Sequence, residues 1–340
     1  MLAKMIRLSF LETLWYNIYS ERKDTNMSIG NKIKQLREER KMTQKDIAEI
    51  LDVEPGTISK YESGTIEPSI ESLKKLSETF NVTIDELLKE DGEKFDISKI
   101  NILEVLREQK EMRLKGNLYH NTQILFAYNT NHIEGSKLSE EQTRSIFETN
   151  TLLFNSDTIA RVDDILETAN HFRLVDYMLA VASDKLTEDM IKKFHRILKE
   201  GTTDSSKDWF NVGEYKKLSN EVGYIKTSSP KQTPKDMEKL IEWYNSLSEI
   251  TIKEIIEFHA RFEKIHPFQD GNGRIGRIIA FKECLKNNIV PFIILDIDKA
   301  FYYRGLKEYQ SNREKGYLID TCLNAQDQYK SMILHFINYK

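Results

Sequence analysis

Twelve consecutive residues concentrate the chemistry of this chain: His266-Pro-Phe-Gln-Asp-Gly-Asn-Gly-Arg-Ile-Gly-Arg277. Helical periodicity leads in from Ile255 to Ile265 and out again from Ile278 to Leu285, which predicts a Gly-rich loop ending at a helix N-terminus. Such an end offers backbone N–H groups and the positive pole of the helix, an anion site by construction. Arg274 and Arg277 in the first turn oppose the helix dipole, a local conflict that makes sense if they face phosphates. Asp270 is a hard oxygen ligand beside that site, suited to Mg2+ bridging phosphates. His266 can serve as a general base near neutral pH.

Three weaker patterns overlap the same stretch. Gly271-x-Gly273-x-x-Gly276, with Asp296 twenty residues on, matches the dinucleotide fingerprint, but no strand precedes it and the match reads as chance. Asp270-Gly271-Asn272-Gly273 has the start of a calcium loop without the later ladder of acids. His259, His266 and Asp270 could form a metal trio, although a core histidine and a base is the better reading.

As a whole the string fits H-x-F-x-[DE]-G-N-G-R-x-x-R without departure, and residues 100–340 resemble the Fic family. That resemblance implies an all-helical Fic fold acting as a protein AMP transferase. The histidine deprotonates a target-protein hydroxyl, which attacks the α-phosphate of ATP, so that AMP is transferred and pyrophosphate leaves. Carried over, His266 is the base, Phe268 anchors the loop in the core and Asp270 holds Mg2+. Gly271, Asn272 and Gly273 cradle phosphates, while Arg274 and Arg277 clamp the β and γ groups. Relatives that act as kinases carry an altered loop, so the intact Gly-Asn-Gly favours AMP transfer.

Upstream, Thr130-Asn131-His132-Ile133-Glu134-Gly135 is similar to the family's inhibitory motif, [ST]-x-x-x-E-[GN]. It implies an inhibitory helix over about residues 118–135, with Thr130 and Glu134 as regulatory residues and Glu134 paired with Arg277. In some relatives the same glutamate also positions a water that removes AMP, which implies a reverse activity. Glu221 to Lys226 resembles the flap that receives a target segment as an added strand. Tyr302 and Tyr303 match a pair near the adenine pocket, although two tyrosines on a helix are commonly core. Gln310 stands where relatives often have Asn.

The elements ahead of this domain carry a different pattern. Thr43 suits an N-cap before Gln44 to Leu51, and Ile47, Ala48 and Leu51 form its buried stripe. After a turn at Asp52-Val53, Glu54 and Pro55 open a second short helix that stops at Ser63-Gly64. Two short helices, a tight turn and a small residue on the packing face describe a helix-turn-helix. Residues 28–90 resemble the Xre/Cro type of DNA-binding domain. The resemblance implies a phosphate contact from Gln44, a second helix in the major groove and a scaffold ion pair between Arg37 and Glu62. On that helix Thr57 and Lys60 suit favourable base contacts. The segment holds ten basic and thirteen acidic side chains, net −3. One copy therefore binds DNA weakly, and a homodimer reading two half-sites would ease this.

The wider composition bounds these readings. The chain has 340 residues, a formal charge of −4, 39% hydrophobic and 31% charged residues. It is an ordinary globular balance, with no bulk attraction for polyanions. No proline lies between Pro68 and Pro230 and glycines are few, which predicts a mostly helical protein. Cys284 and Cys322 are far apart, excluding a disulfide framework and fitting a reducing cytoplasm. Residues 1–27 look like an N-terminal extension: Glu12 interrupts the apolar run, and no cleavage site follows. No apolar run reaches the ~20 residues that span a bilayer, so no membrane partner is expected. The expected organisation is all-α: the extension, a helix-turn-helix bundle at 28–90, a linker at 91–99, and a Fic domain at 100–340 with a small β-hairpin flap. The competing reading is a transcription regulator whose Fic domain only senses nucleotide.

Overall fold

The computed structural model describes residues 29–80, 82–84, 87, 97–152, 160–222, 225–311 and 313–337. The expected extension at 1–27 and residues 91–96 of the expected linker lie outside them. The chain divides into two compact units with the boundary between Asp96 and Ile97. Both are helical.

The first unit contains α1 (Ile29–Glu39), α2 (Gln44–Leu51), α3 (Pro55–Glu62) and α4 (Ile70–Phe80). Thr43 caps α2 through a reciprocal box: its hydroxyl accepts from the Asp46 N–H at 3.2 Å, and the Asp46 carboxylate accepts from the Thr43 N–H at 2.7 Å. Asp52, in the left-handed region at φ 57°, ends α2, and Pro55 opens α3 with its preset φ. Ile33, Leu36, Ile47, Ala48, Leu51 and Ile58 fill the core. Gly30 lets α1 reach the α3 backbone, since a Cβ there would collide with the Tyr61 carbonyl.

The second unit comprises α5 (Ile102–Met112), α6 (Leu118–Ile133), α7 (Glu140–Thr149), α8 (Val162–Ala180), α9 (Glu188–Lys199), α10 (Thr233–Asn245), α11 (Ile252–Ile265), α12 (Asn272–Lys286), α13 (Lys299–Gln310) and α14 (Gly316–Ile337). Several of its helices start at side-chain caps. Ser139 and Gln142 form a capping box on α7, and Thr187 caps α9. Thr251 and Glu254 make a further box on α11. The axis is α12, which touches α5, α6, α8, α9 and α11. Thirteen of its fifteen residues are buried, as expected of a helix surrounded by others. A hairpin of two-residue strands, β1 (Glu221–Val222) and β2 (Ile225–Lys226), pairs Glu221 with Lys226. No helix among the described residues is long and apolar enough to cross a membrane.

Candidate active site

The loop between α11 and α12 is held open by its own residues. His266 ends α11 in the left-handed region at φ 53°, an uncommon backbone for a non-glycine side chain, and its N–H donates to the Phe262 carbonyl at 2.8 Å. Phe268 is fully buried and lies parallel to the His195 ring, with centroids 4.0 Å apart. Asn272 staples the loop with its side chain: its Oδ1 accepts from the Phe268 N–H and its Nδ2 donates to the Phe268 carbonyl, both at 2.8 Å. Gly271 caps α12 at φ 80°, with no side-chain cap bond to the helix end. The anion-binding end predicted from sequence therefore has a physical frame, and Asn272 shapes it through its amide.

His266 sits at the mouth, partly buried. Its Nδ1 lies 3.3 Å from the Glu263 carbonyl, which only accepts, so Nδ1 carries the proton and Nε2 keeps its lone pair. Burial, with the Lys216 ammonium second, pushes the imidazole down to about 4. The ring is neutral at physiological pH, the form a base requires.

The two arginines of the loop have different partners. Arg274 pairs with Glu167 of α8 and lies 3.3 Å from Asp270 Oδ2. The Lys199 ammonium of α9 joins the same network, 2.5 Å from Glu167 and 2.7 Å from Asp270. Burial alone would raise the Asp270 carboxyl, but Arg274 and Lys199 hold it well below the usual carboxylate range. Its side chain is half exposed, so the charged oxygens remain reachable from the loop. Among the described residues no group of three or more His, Cys, Asp or Glu could hold a metal by itself. One carboxylate beside a phosphate site instead fits Mg2+, which takes one or two carboxylates and shares the phosphates.

Arg277 faces the other way, toward the C-terminal end of α6. Its Nε donates to the Thr130 hydroxyl at 2.6 Å and its Nη2 to the Thr130 carbonyl at 3.1 Å. The same Nη2 donates to Glu134 Oε1 at 2.6 Å. Gly273 makes room for that carboxylate, because a Cβ there would collide with Glu134 Oε1. Glu134 thus lies against the phosphate loop itself. Two buried donors stay without partners, Arg274 Nε and Arg277 Nη1. Unmet cationic donors beside a helix N-terminus are an arrangement that suits a polyphosphate.

Tyr302 has no exposed surface. Its hydroxyl bonds His259 Nε2 at 2.7 Å, and the Arg277 guanidinium lies 5.8 Å from its ring centre. It supports Arg277 from below and lines no open pocket in this structure. Tyr303 is partly exposed and donates to the Ile133 carbonyl at 3.0 Å, holding the last turn of α6. Gln310 donates to the Ala260 carbonyl at 3.2 Å.

Several residues of the site escape a reading by motif. Lys199 and Glu167 are charges set within buried helix faces, a weak signal visible only as an interruption of an apolar stripe. His195 accepts from the Gly213 N–H on Nδ1 at 2.8 Å, so its Nε2 donates to the Asp270 carbonyl at 3.1 Å. Lys216 donates to the Ile265 and His266 carbonyls at 3.2 and 2.8 Å, closing the end of α11. Asn220 donates to the Phe268 carbonyl at 2.9 Å. The segment leading into the hairpin is thereby bonded to the catalytic loop.

In the first unit, Arg37 and Glu62 form the ion pair that the resemblance implies, 2.6 Å apart. The Gln44 amide donates to the same Glu62 at 2.8 Å. Thr57 and Lys60 lie one turn apart on α3, Thr57 half-buried and Lys60 exposed.

Comparison with known proteins agrees with both units. The Fic/DOC family matches residues 185–283, and a helix-turn-helix family matches residues 33–87. The chain carries a Fic/DOC domain and a helix-turn-helix domain. The Fic match contains the whole loop from His266 to Arg277 but begins after Glu134. Protein adenylyltransferase fic-1 of Caenorhabditis elegans is 26% identical over 189 residues, covering 54% of this chain and 36% of that protein. Protein adenylyltransferase Fic of Nematostella vectensis is 27% identical over 186 residues, covering 53% and 42%. The matched regions thus span well under two thirds of these relatives. A Fic-domain-containing signaling protein from Bacteroides thetaiotaomicron superposes with a TM-score of 0.56 at 25% identity, covering 70% of this chain and 96% of that one. C. elegans Fic-1 superposes with a TM-score of 0.53 at 17% identity, over 96% and 93%, and shares the fold.

Proposed function

We propose that this chain transfers AMP from ATP to a hydroxyl of a target protein, and to itself, and that Glu134 holds the activity down. The observation that carries the reading is the position of the Arg277–Glu134 pair, 2.6 Å apart, inside a loop whose base and phosphate-facing groups are all present. His266 Nε2 takes the proton of the target hydroxyl. The oxygen bonds to the α-phosphorus, the bond from that phosphorus to the bridging oxygen breaks, and pyrophosphate departs. The α12 N-terminus and the unmet donors of Arg274 and Arg277 bind and orient the polyphosphate. Asp270 would hold Mg2+, which supplies charge neutralisation for the leaving pyrophosphate.

The test is incubation of the full chain carrying Glu134→Gly, which frees Arg277, with ATP labelled on the α-phosphate. Covalent label on any protein band supports the transferase. Tight reversible binding with no covalent label overturns it in favour of a nucleotide sensor.

The same proposal gives the first unit a role on DNA, as a homodimer on a two-fold symmetric site upstream of its own gene. With net −3 over residues 28–90, affinity should be modest and fall steeply with salt. Lys60→Ala should relax base preference, whereas Gln44→Ala should weaken all duplexes alike. A gel-shift titration with no preference for that upstream DNA over random duplex removes the idea.

A further inference from the structure

An open cleft of about 400 Å3 lies between the end of β2, α10 and the last turns of α11. Its lining includes Lys226, Lys239, Arg261 and Lys264, against the single carboxylate of Asp236. That carboxylate is already engaged, accepting from the Ser228 hydroxyl at 2.6 Å and the Gln232 amide at 2.9 Å. Arg261 is fixed in the wall, paired with Glu257 and stacked 4.0 Å over the Trp243 ring. Lys264 donates to the Gln310 carbonyl at 3.0 Å. Lys226 and Lys239 are exposed and have no ion pair among the described residues. In a chain whose formal charge is −4, this is a local concentration of positive charge against the overall sign.

Its position gives the charge a use. Ile265 lines the cleft and is the neighbour of His266, and the Ser228 N–H bonds the Ile265 carbonyl at 3.2 Å. A polypeptide that brings a hydroxyl to His266 and runs along the hairpin passes over this cleft.

We propose that the cleft is the specificity site for the target protein and takes an acidic segment flanking the modified hydroxyl. The inference rests on the transferase reading and adds the class of its substrate. Two unpaired lysines facing carboxylates favour encounter and set register, while a basic flank meets like charge and is rejected. Four cations, two of them already engaged, neutralise few phosphates and make a weak nucleic-acid track.

The experiment uses the full chain carrying Glu134→Gly, ATP labelled on the α-phosphate, and fluorescent peptides with one Ser, Thr or Tyr flanked on both sides by Glu or by Lys. Binding is read by anisotropy and transfer by label. At about 50 mM salt the Glu-flanked peptides should bind and react at least ~10-fold better, with the advantage shrinking as salt screens it. Adding Lys226→Glu and Lys239→Glu should remove or reverse that order while leaving ATP affinity unchanged. Equal use of both peptide classes, or the same order after charge reversal, overturns the inference and leaves the transferase standing. Preferred binding of Glu-flanked peptides with no label on any protein supports the cleft and removes the transferase reading. A short DNA or RNA duplex whose affinity falls with the charge reversal, beyond the fall seen with peptides, assigns the face to nucleic acid and overturns the inference.

Discussion

Glu134→Gly is expected to raise AMP incorporation at least ~10²-fold, first visible as self-labelling of the chain. Arg277 is one of two cations at the loop, and its Nη2 is occupied by Glu134 at 2.6 Å. Under the proposed inhibition a γ-phosphate entering there would meet a carboxylate where it needs a guanidinium, and the nucleotide would settle in a shifted pose. A displacement of about 1 Å at the reacting atoms can cost 10²-fold in rate, so removing the carboxylate should return at least that much. The space over Gly273 is cleared by the same change, because that is where Glu134 Oε1 lies. The double variant Glu134→Gly with Arg277→Ala should lose most of the gain, since the released arginine does the aligning. Labelled AMP incorporation that stays at the parent level in Glu134→Gly, with His266 intact, would make Glu134 an ordinary helix-end acid.

His266→Ala is expected to abolish transfer, by at least ~10²-fold, with ATP binding largely kept. On the proposed reading the ring would touch the incoming hydroxyl, whereas the α12 N-terminus and the arginines would hold the nucleotide. The pH profile adds a readout that a merely structural histidine would not move. An exposed imidazole loses half its basic form at about pH 6.5. Here burial and Lys216 push the imidazole down to about 4, so the base stays neutral as acidity rises. The sign follows: activity of the Glu134→Gly chain should hold from pH 7 to about 5 and fall below that. Residual transfer within tenfold in His266→Ala removes the ring from the base role, whereas a limb centred at about 6.5 would show that the imidazole keeps its ordinary basicity.

The parts of this site that were legible in the sequence are those in which several residue types are required within one short stretch. His266 to Arg277 needs a base, an anchor, a carboxylate, glycines and two cations in twelve positions, and such a string has few other uses. The helix-turn-helix was legible for a similar reason: Thr43, Asp46, Asp52 and Pro55 each occupy a turn or cap that their own chemistry favours. Glu134 was legible as a motif, and its contact with Arg277 spans 143 positions. Lys199, Glu167, Lys216 and His195 were not legible. Each is one polar residue arriving from a distant element, and its meaning exists only once α8, α9 and the segment before the hairpin pack around the loop. Depth was hidden too. The motif does not say which of Tyr302 and Tyr303 goes inward: helix geometry turns adjacent side chains to different sides, and the fold sends Tyr302 inward to His259.

The helix that carries Glu134 is itself part of the core. Fourteen of the sixteen residues of α6 are buried, with Leu118, Ile124, Leu125, Phe126 and Ile133 among them. At about 1.5–3 kcal/mol for each such side chain, pulling α6 away would cost roughly as much as a whole domain's net stability of about 5–15 kcal/mol. Undocking the helix and unfolding the domain are then one event, so under the proposed inhibition no partner would act by peeling α6 off. What can move cheaply is the end. Glu134 follows the last helical residue, and Gly135 behind it turns through φ 97°. On the proposed inhibition, relief would come by rotating one carboxylate, like lifting a latch from a fixed post, because the turn behind it is held by Tyr303 on the Ile133 carbonyl, Lys299 on the His132 carbonyl and Asn131 on Thr168.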